Sequence, residues 1–340
     1  MQTYQGSTTL NELSIGEKVI TSDHRDIALK ETLGTDKYRP ERKETTRVGK
    51  FFTLVAILLP PLGILSAAKL LWDTDLHLID IYVFAGFYIL TGLGITVGYH
   101  RLFTHRAFET NILVKLALAI LGAMTLQGPL TQWVSDHRMH HLMSDQKGDP
   151  HSPVPSGNKL KDHFMGLWHA HVGWMFKTKG LWRNVNYAED IYSNKVLMAV
   201  DRLYLLWVLL SLLLPFGLGY IMTSNIQIGL ESLIWGGLIR IFLFQHATFA
   251  VNSICHKFGR RQYQTKDNSR NQWLVALLTF GEGWHNNHHA FPRSARHGLG
   301  KLQIDVSWLV IKLLKNFKLA KSVYLPKENQ IVKLSLRLPK

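Results

Sequence analysis

Residues 135–143, SDHRMHHLM, set His137, His140 and His141 at i, i+3 and i+4. On a helix, that spacing gathers three imidazoles on one face within about one turn. The same spacing returns in GWHNNHHAF as His285, His288 and His289, and a looser pair, His100 and His105, stands in GYHRLFTHR. The three boxes flank long apolar runs. Together they point to a metal centre held against a membrane.

Of the 340 residues, 46% are hydrophobic, enough for one large core. The net charge of +15 fits either a nucleic-acid face or the Lys and Arg that mark the cytoplasmic side of a membrane protein. No nucleic-acid-binding signature accompanies the charge, so the membrane reading is taken. Cys255 is the only cysteine, which excludes a disulfide framework and a thiolate metal cage. The anomaly is the 17 histidines, since neutral imidazole is the commonest protein metal ligand.

Four apolar runs, 51–71, 79–99, 203–222 and 226–249, each reach the length of about 20 residues that a spanning helix needs. Short linkers pair them into two hairpins. Pro60 and Pro61 are expected to kink the first run, and Pro215 to interrupt the third. Glu231 and Arg240 lie inside the fourth. Charge is costly at mid-bilayer, so Arg240 is expected near the cytoplasmic interface, snorkelling or turned inward, and Glu231 near the opposite one. Arg39, Arg42, Lys43, Arg47 and Lys50 precede the first run, while both interhelical turns lack Lys and Arg. Positive-inside logic then places both termini and the segment from Arg101 to Asn194 in the cytoplasm; Lys69 argues weakly the other way and is expected to snorkel. The expected location is a bacterial inner membrane or an ER-type membrane.

The stretch from Ile112 to Leu126 is apolar enough to imitate a fifth span. If it crossed, His100 and His105 would lie across the bilayer from His137, so it is read as an interfacial or re-entrant helix. Trp273 to Phe280 is too short to span. The expected fold is therefore an all-α integral membrane protein: four transmembrane helices in two hairpins, under a helical cytoplasmic cap holding a His-rich dimetal site. The expected organisation is a polar arm at 1–47 without a signal peptide, a main domain at 48–310 with its cap at 100–200 and 250–310, and a basic tail at 311–340. The tail reads as an amphipathic helix on anionic headgroups or as a solvated segment.

His100 lies 21 residues beyond Ile79, about 32 Å along a helix, which puts it at the cytoplasmic interface. His256 falls further out on the fourth helix, with Asn252 one turn before it on the same face. His100 and His105 are five apart, about 140° round an α-helix, so the chain must bend or unwind for both to reach one centre. Counting His100, His105, His137, His140, His141, His256, His285, His288 and His289 gives nine imidazoles, too many for one metal and suited to two. Imidazole alone does not choose among iron, zinc, copper and nickel. His151, His163, His169, His171, His246 and His297 lack the repeated spacing and read mainly as packing residues, with hydrogen bonding to a ligand imidazole as the sharper alternative. Asp136 and Asp145 flank the central box as orienting carboxylates or as capping residues. Cys255 reads as a packing residue.

GYHRLFTHR, SDHRMHHLMSDQKGDPHSP, VNSICHKFG and GEGWHNNHHAFP, in this order and over roughly Phe51 to Val310, resemble the membrane fatty acid desaturases, in particular the acyl-CoA (stearoyl-type) delta-9 branch. The resemblance implies a di-iron centre on the nine histidines, with Asn252 joining through a water and O2 as co-substrate. It implies a cis double bond placed in a fatty acyl substrate, a CoA thioester or a lipid ester, lying in a narrow tunnel. Trp133 and Phe249 are candidate tunnel-lining residues, with ordinary helix packing as the alternative. No haem-binding His-Pro-Gly-Gly is present, so the electrons are expected from a separate donor such as ferredoxin or cytochrome b5 with its reductase. The rival functions are a His-box hydroxylase of alkanes or carotenoids and, from another class, a metal transporter.

Overall fold

The computed structural model describes residues 47–72, 76–146, 148–153, 157–177 and 187–336. The expectations for the polar arm, for most of the first interhelical turn, for the Lys69 side chain and for the last four residues of the tail lie outside the described residues.

Helices dominate. Helix α1 is Arg47–Trp72, and α2 starts at Leu78–Leu93 and runs on without a break as Gly94–Thr104. After it come α3 (Ile112–Ala123), α4 (Leu130–Met143), α5 (Leu160–Trp168), α6 (Glu189–Tyr192) and α7 (Lys195–Arg202). The long α8 (Tyr204–Thr223) and α9 (Ile226–Ser253) follow, then α10 (Trp273–Leu278), α11 (His285–Ala290), α12 (Val306–Asn316) and α13 (Glu328–Leu334). Among the described residues, three helices are long and apolar enough to cross a membrane: Leu78–Thr104, Tyr204–Thr223 and Ile226–Ser253. Pro215 does not interrupt α8, which continues through it. Membrane-type helices tolerate proline where neighbours take up the freed carbonyls. As expected, Ile112–Ala123 is a short apolar helix that stops before Gly128 and Pro129.

Buried charges lie at one end and near the middle of α9. At one end, His77 caps α2, and its Nδ1 lies 3.0 Å from Glu231 Oε2 while Asp80 accepts from the Ser232 hydroxyl at 2.9 Å. Asp80 and Glu231 are each only 1% exposed, so both charges are turned into the protein. Nearer the histidines, Arg240 is fully buried rather than snorkelling. Its guanidinium donates to the Met124 carbonyl at the end of α3 and to the Ser211 hydroxyl and carbonyl on α8. Carbonyls at a helix C-terminus carry partial negative charge, which suits a cation.

The core lies beneath the histidine boxes. Ile95, Tyr99, Leu102 and Phe103 of the α2 extension pack with Leu118 of α3, Leu130 and Val134 of α4, Phe244 of α9 and Ile311 of α12. Gly94 permits the close crossing of α2 and α3, because a Cβ there would stand 2.2 Å from the Gly122 nitrogen. The C-terminal segment is tied to the rest. Helix α12 runs through the expected 310/311 boundary, Ala320–Lys321 pairs antiparallel with Glu109–Thr110, and Tyr263 bridges to Ser335.

Candidate metal centre

The first box shows how the backbone brings its histidines together. Gly94–Thr104 is wound as a π-helix, and the His105 N–H donates to the His100 carbonyl at 3.1 Å. In i→i+5 winding, residues five apart stand one above the other, as i and i+4 do on an α-helix. Of the expected bend or unwinding, it is the second that occurs: a wider, underwound helix puts both rings on one face, 4.8 Å apart. The second box lies on α4 and the third on α11, each an α-helical face as the spacing predicts. His256 departs from expectation, because α9 ends at Ser253 and His256 sits in the turn that follows.

Two groups result. The ligand-type nitrogens of His100, His105, His137, His141 and His288 lie within 4.8 Å of one another, as do those of His140, His256, His285 and His289. All nine imidazoles anticipated from the sequence are thus brought together, five and four. Inside the groups the Nε2 atoms stand close: 3.1 Å for His100 and His288, 2.9 Å for His288 and His141, 3.0 Å for His256 and His285, and 3.4 Å for His140 and His289. Nitrogens sharing one cation at about 2.1 Å lie about 3.0–3.4 Å from each other.

The outward nitrogens decide what those distances mean. His140 Nδ1 donates to Asp149 at 2.9 Å, His289 Nδ1 to Asp267 at 2.7 Å, His256 Nδ1 to Asp145 at 3.1 Å and His100 Nδ1 to Glu282 at 2.6 Å. An ionised carboxylate only accepts, so each of these rings carries its proton on Nδ1 and turns a lone pair inward. His140 and His289 therefore face each other lone pair to lone pair at 3.4 Å. Such an arrangement repels unless a cation lies between, and the donor set fits metal ions. Burial pushes His137, His141, His285, His288 and His289 well below the ordinary histidine value, keeping them neutral. Burial opposes the charge of Asp145, but the His256 hydrogen bond prevails and holds that carboxyl down at about 2.

Of these orienting carboxylates, only Asp145 was singled out in the sequence. Asp136 lines the neighbouring cavity instead. Glu282 and Asp149 belong to the quoted motifs GEGWHNNHHAFP and KGDPHSP, where a carboxylate beside a His box is the readable signal; Asp267 carries none. Glu282 is held by the buried Arg101, which also pairs with Asp305 at 2.9 Å. Gly281, at φ +116°, makes room for this knot, since a Cβ would fall 2.6 Å from Asp305 Oδ1. Two histidines read as packing residues abut the centre: His151 stacks on His140 at 4.3 Å, and His297 lies 4.5 Å from His288. His171 pairs with His246 at 3.0 Å, outside both groups. Cys255 is buried and unbridged.

A cavity of about 490 Å³ reaches the centre, in the range of small-molecule sites. His100, His137 and His285 stand in its wall with Trp133, Phe249 and Asn252. Trp133 stacks on His137 at 5.0 Å. Val55 and Leu59 of α1 and Leu205 of α8 give the cavity an apolar side.

The Fatty acid desaturase family model matches residues 35–309. The chain belongs to the membrane fatty acid desaturase family. This desaturase-family chain is 40% identical over 285 residues to a hex-5-enoyl-[acyl-carrier protein] acetylenase of Moorena producens (strain JHB), covering 83% of this chain and 88% of the relative. It is 41% identical over 244 residues to an sn-1 stearoyl-lipid 9-desaturase of Synechocystis sp. (strain ATCC 27184 / PCC 6803 / Kazusa), covering 71% and 70%. It is 39% identical over 252 residues to an icosanoyl-CoA 5-desaturase of Limnanthes douglasii, covering 72% and 65%. The desaturase is thus a membrane oxidoreductase acting on fatty acyl chains, with histidine clusters suited to metal.

Proposed function

We propose that the chain is an O2-dependent desaturase that introduces a cis double bond at the delta-9 position of a saturated acyl chain carried by CoA or lipid. The observation that carries this reading is the pair of inward-facing imidazole groups in the wall of a largely apolar cavity. The stearoyl-lipid 9-desaturase relative supports the position of the bond. The nine histidines would hold two iron ions, with Asn252 joining through a water. The metal pair supplies the redox chemistry that removal of hydrogen from an unactivated methylene requires.

The protein supplies position and dryness. Trp133, against His137, and Phe249 form part of the cavity wall, and the shape of that wall fixes which methylenes lie beside the centre. Overall, –CH2–CH2– plus O2, two electrons and two protons gives –CH=CH– and two waters. The electrons come from a separate carrier, ferredoxin or cytochrome b5 with its reductase. Helix α1, at 26 residues, is the fourth span, and the termini and histidine-bearing cap face the cytoplasm. The lack of Lys and Arg in the turn at residues 223–225 supports that orientation.

The acetylenase relative favours a second reading, in which the same two carbons are dehydrogenated again to a triple bond. A desaturase-deficient host expressing the chain should accumulate delta-9 monounsaturated acyl groups, and none with His137→Ala or His288→Ala. A triple-bonded product would support the second reading. Retention of label from 18O2 in the fatty acid would establish a hydroxylase instead.

A further inference from the structure

The surface segment 254–272 contains Lys257, Arg260, Arg261, Lys266 and Arg270 against a single carboxylate, Asp267. That carboxylate is turned inward onto His289 Nδ1 at 2.7 Å. The neighbouring backbone N–H of Asn268, an exposed residue, donates at 2.6 Å to Asp145 Oδ2, which also accepts from His256 Nδ1 at 3.1 Å. One short segment therefore carries one imidazole of the four-histidine group, His256, which Asp145 ties back to Asn268, and reaches a second, His289, through the carboxylate of Asp267. The five-histidine group is braced differently. Its orienting Glu282 is buried against Arg101 and has no contact with this segment among the described hydrogen bonds. The Asn271 amide donates to Asn287 Oδ1, and the Gln262 and Tyr263 backbone N–H groups donate to Asn286 Oδ1, which seats the segment on the helix that carries His285, His288 and His289. Outside, Phe258 is 53% exposed, and Arg260 and Lys266 are exposed near it in sequence. An exposed aromatic residue flanked in sequence by exposed cations matches the make-up of a protein-docking spot.

We propose that this segment is the docking face for an acidic one-electron carrier protein, and that electrons enter through the four-histidine group by way of Asp267–His289 and Asn268–Asp145–His256. The inference rests on the desaturase reading and adds where its electrons arrive. Electronic coupling falls steeply with distance, so a route of covalent bonds and two short hydrogen bonds outcompetes passage through loosely packed protein. Each encounter oxidises the carrier by one electron. Two encounters supply the two electrons that, with O2 and two protons, convert one –CH2–CH2– into –CH=CH– and two waters. A basic face accelerates such encounters and makes them salt-dependent.

The test uses full-length, metal-loaded enzyme in nanodiscs, with reduced plant-type ferredoxin and reduced cytochrome b5 as probes. In the Arg260→Glu/Lys266→Glu variant, the second-order rate of carrier oxidation at low salt should fall at least about tenfold, with a flatter salt dependence. Dithionite-driven product formation should stay within twofold of wild type, which shows that the variant is folded and loaded. The milder Arg260→Ser/Lys266→Ser variant should fall between. Binding of redox-inert, gallium-substituted ferredoxin to metal-free enzyme should weaken in parallel. The comparison variant Lys312→Glu/Lys315→Glu, on the exposed basic face of α12, should oxidise the carriers normally. Wild-type carrier oxidation and salt dependence in the loop variant would overturn the proposal. So would loss of carrier oxidation in the α12 variant alone, or a loop variant that loses only its binding to phosphatidylglycerol vesicles. If wild type yields no product with dithionite or carrier, the desaturase reading fails, and the gallium-ferredoxin measurement still decides the docking face.

Discussion

His140 and His289 pose the problem that the rest of the centre answers. Their Nε2 atoms stand 3.4 Å apart, and both rings have committed their proton to a carboxylate on the far side, Asp149 and Asp267. Removing one of those carboxylates frees the ring to rotate or to take the other tautomer. Asp267→Asn should therefore lower metal affinity by about 10–100-fold while leaving all nine imidazoles in place. Competition with a chelator, read as retained metal per protein, checks it. His171→Ala is the contrast, because His171 pairs with His246 outside both groups and should retain wild-type metal content. Loss of metal on that substitution would move His171 into the site.

At the scale of elements, the apolar runs and box spacings foretold the long helices, the short apolar α3 and the shared faces of α4 and α11. What the sequence hid follows from local geometry that no residue pattern encodes. HxxxxH reads as two opposed faces until the backbone widens to i→i+5 hydrogen bonding and brings His100 over His105. Nor does sequence distance reveal that Asp267 will fold back onto His289. For Arg240 the sequence left two alternatives, snorkelling or turned inward. The inward one holds: it is a buried latch, donating to Met124 and Ser211 from the middle of α9. Its replacement, Arg240→Met, would take a buried donor from the Ser211 carbonyl on α8, while the Met124 carbonyl keeps the Ser211 hydroxyl, at about 1–3 kcal/mol. Gly94→Leu attacks the same region differently, by driving a side chain into the α3 backbone beside Gly122, at about 1–3 kcal/mol or more. Both should appear as lower melting temperatures in detergent, and an unchanged melt for Gly94→Leu would deny the close crossing.

Across the whole molecule, gathering nine imidazoles in one largely buried site couples stability to pH. Burial, and then the neighbouring His256, pushes His140 down to about 3; burial and then His140 push His151 to about 3. An unfolded chain protonates the same rings near pH 6.5. Between those values the unfolded state binds more protons than the folded state, so stability is full above about pH 6.5 and is lost as pH falls toward 3. Each such ring contributes a slope of about 1.4 kcal/mol per pH unit within that window. Metal binds only the unprotonated rings of the folded protein, so it should raise the melting temperature at neutral pH and lose that hold as acid displaces it. Thermal melts of metal-free and metal-loaded protein from pH 8 to pH 4 are the check. The metal-free form should begin to weaken near pH 6.5, and the two curves should converge in acid. A metal-free melting temperature that stays flat across that range would mean these rings are not buried together in solution.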